Sequence, residues 1–208
     1  TTEIYTLSLH DALPIYKARK DLGMMRSIGI NAVRIYHAPP KWFLDLAAEF
    51  GIRVMVTLWW GQNVDFLSSG KRRREIFDKV HSDVKANAGH RALMGYLVAN
   101  EISSTMVRWY GVRRVTEFVE NMINIGREAD DDVLFSYASY PPTEYLLPSN
   151  MDFYTFNVYL HRKEDFDRYL ARLQNLAEDK PLIMGEFGMD TLRHTQDEQS
   201  DMLSWHIE

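Results

Sequence analysis

Short apolar runs alternate with longer amphipathic segments along most of the chain. The clearest run is LMGYLVANEI at 93–102, where apolar residues lead directly into the polar pair Asn100-Glu101. A near-continuous apolar run of this length is typical of a strand buried on both faces of a parallel sheet. PLIMGEFG at 181–188 has the same form and leads into Glu186. The pattern therefore predicts buried parallel strands that end on carboxylates.

The remaining elements follow from the same alternation. Helices are predicted where apolar residues recur at helical spacing and strands where they run together. Strands are predicted at 30–40, 52–60, 93–102, 132–140, 151–161 and 181–190. Helices are predicted at 17–29, 41–51, 71–89, 113–130, 163–179 and 195–208. Residues 103–111 are predicted as a loop, and residues 141–150 as a loop with one helical turn.

This order of elements favours one fold class. Strands that alternate with helices form right-handed βαβ units and a parallel sheet, hence an α/β protein. A doubly wound nucleotide-binding sheet would have a glycine-rich turn after an early strand, and the sequence has none. We therefore predict a (β/α)8 TIM barrel in which Glu101 ends strand four. On that count strands two to seven are present and the first and eighth are missing, since a complete barrel takes about 250 residues.

The first fifteen residues, TTEIYTLSLHDALPI, differ in character from the rest of the chain. Their alternation would suit a strand, but they resemble the in-frame translation of a sequencing-library adapter. We therefore predict that 1–15 is a non-native segment and that 16–208 is a partial TIM-barrel catalytic domain.

Composition narrows the classes of function. The chain is 46% hydrophobic with a net charge of -5, which fits one domain and gives no reason to expect nucleic acid or an anionic membrane as partner. The basic run KRRRE at 71–75 is interpreted as a solvated helix face. No apolar run reaches the roughly 18 residues of a membrane-spanning helix. Cysteine is absent and the histidines are scattered, so neither a metal site nor a cofactor is predicted.

Two strand-terminal glutamates suggest acid/base and nucleophilic chemistry. The C-terminal ends of barrel strands gather on one face, so Glu101 and Glu186 are expected to lie close together. Cleavage of a glycosidic bond needs a proton for the leaving oxygen and a negative charge at the anomeric carbon. Retaining enzymes hold two carboxyls roughly 5–5.5 Å apart for this purpose. Glu186 would be the ionised nucleophile, and Glu101, with a raised pKa, would act first as acid and then as base.

Three segments carry a resemblance to a known family: GINAVRI at 29–35, VANEI at 98–102 and PLIMGEFG at 181–188. In this order they resemble the retaining glycoside hydrolases of clan A, namely the family 2 type (β-galactosidases, β-glucuronidases and β-mannosidases) and its family 5 relatives. The resemblance implies hydrolysis of O-glycosidic bonds, β-linked, in oligo- or polysaccharides, with carbohydrate as the partner. It implies that Asn100 contacts the sugar 2-hydroxyl, that Arg34 keeps the nucleophile ionised and that Tyr159 hydrogen-bonds it. A periplasmic or extracellular location is plausible on this resemblance alone, and the sequence leaves localisation and oligomeric state open.

Further residues near strand ends are candidates for sugar binding, although each could instead serve in packing. His37 and His161 lie just past strand ends and could contact hydroxyl groups. Of the adjacent Trp59 and Trp60, strand alternation favours Trp60 as the ring in the barrel mouth. Trp109, with Tyr110, could form the wall of an outer subsite.

Three other functions stay open at this point. A transglycosylase would use the same two glutamates but pass the sugar to another sugar. A non-catalytic barrel, alone or attached to a polysaccharide-handling protein, would only bind carbohydrate. A lyase or aldolase would usually need a strand-end lysine or a metal cluster, which the predicted strand ends lack. Since the family's eighth strand normally supplies a tryptophan under the sugar, we also expect this chain by itself to be weakly active or inactive.

Overall fold

The computed structural model describes residues 15–62 and 64–207 of the 208-residue chain. Helices and strands alternate through these residues as the sequence pattern predicts. The strands are β1 Ala32–Ile35, β2 Arg53–Thr57, β3 Leu93–Asn100, β4 Leu134–Ser139, β5 Tyr154–Asn157 and β6 Leu182–Glu186. The helices are α1 Ile15–Ser27, α2 Lys41–Glu49, α3 Gly70–Lys85, α4 Ser104–Tyr110, α5 Val112–Ala129, α6 Lys163–Ala177 and α7 Gln196–Ile207, with a short 3-10 turn at Pro141–Thr143.

The six strands form one parallel sheet in the order β1-β2-β3-β4-β5-β6. Strands that neighbour each other in the chain are therefore neighbours in the sheet, which is the arrangement of a TIM barrel. β1 and β6 stand at opposite ends of this order, yet the side chain of Arg34 in β1 reaches the backbone oxygen of Gly185 in β6 at 3.1 Å. The sheet must curl to allow this contact. The predicted barrel fold is confirmed as a curled sheet of six strands within the described residues.

Helix α5 shows how the sequence pattern builds the outer layer. Its buried residues recur at positions i, i+3, i+4, i+7 and i+8, from Val115 to Ile123, so one apolar stripe faces the sheet. Gly126 lies where this helix crosses β4, and a Cβ atom there would collide with the ring of Phe135. A glycine is therefore required for the helix to pack this closely on the strand.

The prediction for the segment after β3 needs correction. Residues 103–111 were expected to form a loop, but Ser104–Tyr110 is the helix α4. The side chain of Ser103 accepts a hydrogen bond from the backbone N–H of Met106 at 3.3 Å, and Gly111 follows the helix with a φ of 87°. The segment thus carries a start signal and a stop signal for a short helix, and the prediction overlooked both.

The predicted non-native segment lies almost entirely outside the described residues, because only Ile15 of 1–15 is described, as the first residue of α1.

Two strands are shorter than predicted. β1 and β5, which correspond to the predicted strands 30–40 and 151–161, have only four residues each. As a result Tyr36, His37 and Tyr159 lie in the loops that follow β1 and β5. None of the helices within 15–62 and 64–207 is long and apolar enough to cross a membrane.

Candidate active site

Arg34 is the centre of the polar cluster at the C-terminal ends of the strands. Its side chain is only 12% exposed, so its guanidinium group needs partners within the protein. The Nε atom donates to Thr57 Oγ1 (2.9 Å), and Nη2 donates to Asn100 Oδ1 (2.6 Å). The Nη1 atom donates to Gly185 O (3.1 Å), Glu186 Oε1 (3.1 Å) and Asn157 Oδ1 (3.3 Å). One side chain thus ties β1 to strands β2, β3, β5 and β6.

The carboxylate of Glu186 is surrounded by hydrogen-bond donors. Oε1 accepts from Arg34 and from the hydroxyl of Tyr36, and Oε2 accepts from the hydroxyl of Tyr159 at 2.6 Å. Burial, together with the hydrogen bond to Glu186, raises the pKa of both tyrosines above the ordinary value of about 10. Both phenols therefore stay protonated and act as donors, which suits an ionised carboxylate between them.

Glu101 occupies a different environment from that of Glu186. Burial raises its pKa, and the neighbouring charge of Glu186 adds to the rise, while a hydrogen bond from Asn157 and the charge of Arg34 oppose it. The donor is Asn157 Nδ2, 2.8 Å from Glu101 Oε1. The two carboxyls therefore have different surroundings: hydrogen-bond donors surround Glu186, whereas burial raises the pKa of Glu101.

The backbone of Glu101 is unusual too. Its φ of 47° lies in the left-handed region, which costs a non-glycine residue about 1–2 kcal/mol. The backbone N–H of Glu101 donates to Ala138 O at 2.9 Å, and the next residue, Ile102, donates its N–H to the hydroxyl of Tyr137 at 3.0 Å. These bonds to β4 hold the chain in a sharp turn at the end of β3, and the turn sets the direction of the Glu101 side chain.

Asn100 lies beside this pair with its amide group oriented by its neighbours. Oδ1 accepts from Arg34 at 2.6 Å and from Asn157 at 3.1 Å. The Nδ2 group of Asn100 donates to no residue within 15–62 and 64–207, as a contact to a sugar hydroxyl would require. The buried side chain of Gln62 donates to Asn100 O at 2.7 Å and thereby stabilises the C-terminal end of β3.

Three residues of this cluster escaped the sequence analysis: Tyr36, Asn157 and Gly185. Tyr36 is two residues after Arg34, and Asn157 is two residues before Tyr159, so alternation along the predicted strands 30–40 and 151–161 would have placed each on the same face as a residue already selected. Gly185 is needed for close approach, because a Cβ atom there would lie 2.6 Å from Thr155 Cγ2 and 2.7 Å from Asn157 Oδ1.

The prediction that Trp60 faces the barrel mouth is wrong. Trp60 is only 4% exposed, its ring packs against Phe66 and Phe118, and its Nε1 donates to Val98 O at 2.7 Å. It belongs to the core between the sheet and its outer helices. Its neighbour Trp59, 42% exposed, is the ring of the pair that solvent reaches.

The other candidates have different surroundings. Trp109 is 79% exposed on α4, whereas Tyr110 is buried and donates its hydroxyl to Asp65, so it is not a surface wall. His37 is partly buried directly after β1. His161 packs edge-on against His194, with ring centroids 5.1 Å apart. His161 lines a cavity of about 500 Å³, whose other lining residues include Tyr159 and residues of the loop between β6 and α7.

Comparison with known proteins gives a consistent result. Residues 11–206 match the family model described as "Glycosyl hydrolases family 2, TIM barrel domain". The 1,3-beta-glucanosyltransferase gas4 of Schizosaccharomyces pombe is 23% identical over 215 aligned positions, which cover 91% of this chain and 46% of that protein.

Solved structures show the same fold at low identity. A β-glucuronidase from Bacteroides uniformis superposes with a TM-score of 0.77 at 18% identity, over 92% of this chain and 26% of that one. A GH5_18 protein from Streptomyces cattleya in complex with Manb1-4GlcNAc gives 0.73 at 14% identity, over 92% of this chain and 61% of that one. The chain thus spans less than half of the curated relative and about a quarter of the glucuronidase.

Proposed function

This chain belongs to the TIM-barrel domain of the family 2 glycosyl hydrolases, and from that membership we propose that it cleaves O-glycosidic bonds in oligo- or polysaccharides by a retaining double displacement. The proposed nucleophile is Glu186 and the proposed acid/base is Glu101. The observation that supports these roles most strongly is the contrast between their surroundings. Three donors surround the carboxyl oxygens of Glu186, while burial raises the pKa of Glu101.

In the first step, a carboxylate oxygen of Glu186 attacks the anomeric carbon and forms an ester. The bond from that carbon to the leaving oxygen breaks, and its electron pair goes to the oxygen, which takes the proton of Glu101. The raised pKa of Glu101 favours the protonated form that this step requires. Asn100 would donate to the 2-hydroxyl of the reacting sugar, a contact that strengthens in the transition state.

In the second step, Glu101 acts as a base. Once Glu186 is esterified, its negative charge is gone, so the repulsion that helped to keep Glu101 protonated is removed. Glu101 then takes a proton from water while the water oxygen attacks the anomeric carbon. The ester bond breaks, its electrons return to Glu186, and the sugar leaves with its original configuration.

Transglycosylation is a second candidate, favoured by the similarity to the glucanosyltransferase gas4 over most of this chain. The first step would be the same. In the second step Glu101 would take its proton from a sugar hydroxyl, so the product would be a new glycosidic bond instead of a free reducing end.

The test is covalent trapping of the proposed nucleophile. A panel of 2-deoxy-2-fluoro β-glycosides with activated leaving groups is incubated with the chain, and peptide mass spectrometry locates the label. Because this chain by itself is expected to be weakly active at most, long incubations are used. We expect a slowly formed label on Glu186, none in Glu186→Gln, and products of retained configuration by NMR with aryl glycosides as substrates. Added oligosaccharide acceptors distinguish hydrolysis from transfer. Inverted product would overturn the retaining mechanism, and sugar binding without label or turnover would leave a binding barrel.

A further inference from the structure

We propose that Tyr36 is a positioning residue that makes Oε2 of Glu186 the attacking oxygen and reserves Oε1 for the carbonyl of the sugar ester. This inference rests on the proposed function. It comes from an asymmetry in the Glu186 contacts. Two donors, Arg34 Nη1 and the Tyr36 hydroxyl, reach Oε1, whereas among residues 15–62 and 64–207 only the Tyr159 hydroxyl reaches Oε2.

The asymmetry matters because each carboxylate oxygen has two in-plane lone pairs. Both lone pairs of Oε1 are used, one by each donor. Oε2 keeps one lone pair that is not engaged by a described residue, and only such a lone pair can form a bond to carbon. Without the Tyr36 hydroxyl the two oxygens would each have one donor, and the distinction between them would disappear.

Tyr36 is well held for this task. The guanidinium carbon of Arg34 lies 4.6 Å from the centroid of the Tyr36 ring, so the ring and the hydroxyl of one tyrosine support both Arg34 and its carboxylate partner. Within the described residues, the ionisable groups that interact with Glu186 are Arg34 and Tyr36 from β1 and its loop, Glu101 directly after β3, and Tyr159 after β5. Of these, only Arg34 and Tyr36 contact Oε1.

The consequence for the reaction follows from the electron count. When Oε2 bonds to the anomeric carbon, Oε1 becomes the ester carbonyl oxygen and still accepts from Arg34 and Tyr36, more weakly than a carboxylate would. When the ester breaks, the electron pair of the carbon–Oε2 bond returns to Oε2, and resonance shares the restored negative charge between Oε2 and Oε1. The Tyr36 hydroxyl therefore stabilises the departing carboxylate more than the ester, which favours breakdown of the intermediate over its formation.

The test compares Tyr36→Phe with the unaltered chain, because phenylalanine keeps the ring over Arg34 and removes only the hydroxyl. Formation and breakdown of the fluorosugar ester are timed separately by mass spectrometry. We expect breakdown to slow by about 10- to 100-fold, the size of one hydrogen bond to a charged group, with formation not slowed. Equal slowing of both steps would indicate only a structural role and overturn the proposal.

Tyr169→Phe is the matched control. The Tyr169 hydroxyl also donates to a carboxylate, Glu144 Oε2 at 2.8 Å, but outside the proposed catalytic cluster, so both rates should stay the same. A crystal structure of the trapped ester should show the sugar on Oε2, with the ester carbonyl oxygen bonded to Arg34 and Tyr36. Sugar on the oxygen shared by those two residues would refute the assignment.

A readout that needs no turnover separates this proposal from the proposed function. The hydrogen-bonded hydroxyl of Tyr36 should give a proton resonance in NMR spectra that is lost in Tyr36→Phe and shifted in Glu186→Gln. A chain that never forms the ester contradicts the proposed function. A Tyr36 resonance that does not respond to Glu186→Gln contradicts the hydrogen bond on which the present inference depends.

Discussion

The side-chain amide of Asn157 connects the two halves of the candidate site, since Nδ2 donates to Glu101 Oε1 at 2.8 Å and Oδ1 accepts from Arg34 at 3.3 Å. The proposed acid is thereby linked to the arginine that holds the proposed nucleophile. A donor to a carboxylate favours its charged form, so this contact limits how far burial raises the pKa of Glu101.

The first prediction concerns the loss of that contact. In Asn157→Ala the pKa of Glu101 should rise further, because burial and the charge of Glu186 then act with less opposition. Glu101 must be protonated in the first step, so the alkaline limb of the kcat/KM profile against pH should move to higher pH. Asn150→Ala, which removes an amide bonded to Glu120 O and Asn124 far from the cluster, serves as control and should leave the limb in place. A limb that moves to lower pH would show that the Asn157 contact does not act as described.

The second prediction links Glu101 to stability. A carboxyl whose pKa is raised in the folded state binds more protons there than in the unfolded chain, so stability falls as pH rises from the ordinary value of about 4.3 through the raised value. The neutral variant Glu101→Gln avoids this loss. We expect it to melt at a higher temperature than the unaltered chain at pH 7, with the difference shrinking below pH 4. Calorimetry over this pH range checks the trend, and a difference independent of pH would contradict it.

The third prediction concerns the close packing at Gly185. Gly185→Ala would place a methyl group 2.6 Å from Thr155 Cγ2 and 2.7 Å from Asn157 Oδ1, so the strand or the amide must move. Overpacking of this kind costs about 1–3 kcal/mol of unfolding free energy, and here it should also abolish fluorosugar labelling. Gly126→Ala is crowded as well, even more closely, by Phe135 on the outer face of the sheet, and should lose at least as much stability while retaining the label. Equal labelling of both variants would separate Gly185 from the site.

The fourth prediction distinguishes the adjacent tryptophans. Trp60→Ala should destabilise the fold by about 3–5 kcal/mol, as removal of a buried aromatic ring usually does. Trp59→Ala removes an exposed ring just past the end of β2, so its unfolding free energy should change by only about 0.5 kcal/mol. If Trp59 is a sugar platform, its KM for oligosaccharides should rise. Chemical denaturation and kinetics together test the pair, and a large loss of stability in Trp59→Ala would reverse the assignment.

The fold could be predicted from the sequence because apolar residues run together in the strands and recur at helical spacing in the helices. Buried runs such as 93–100 and the apolar stripe of α5 specify the βα order, and the order specifies a barrel. The family resemblance drawn from the same segments is confirmed by the match to the family 2 TIM-barrel domain. Helix α4 was missed because its seven residues are too few to establish a period, so only the flanking Ser103 and Gly111 signal it.

The site was accessible only in part. Arg34, Asn100 and Tyr159 were selected by resemblance, and the structure brings them together with Glu101 and Glu186. Tyr36 and Asn157 were missed because their importance comes from partners on distant strands. Trp60 was misjudged because β2 ends at Thr57, which already bonds to Arg34 inside the sheet. Counting by two from Thr57, Trp59 lies on the same face of the sheet as Thr57, and Trp60 lies on the opposite face.

The contact between Arg34 and Glu186 joins positions 152 residues apart in the chain. Closing so long a loop costs conformational entropy before any contact compensates for it, and such pairings form slowly compared with helices and neighbouring βα units. During refolding from denaturant, far-UV circular dichroism should therefore recover before the ability to form the sugar ester. Formation of the sugar ester would then report the last stage of folding, since the proposed nucleophile Glu186 is in place only after its contact with Arg34 has formed.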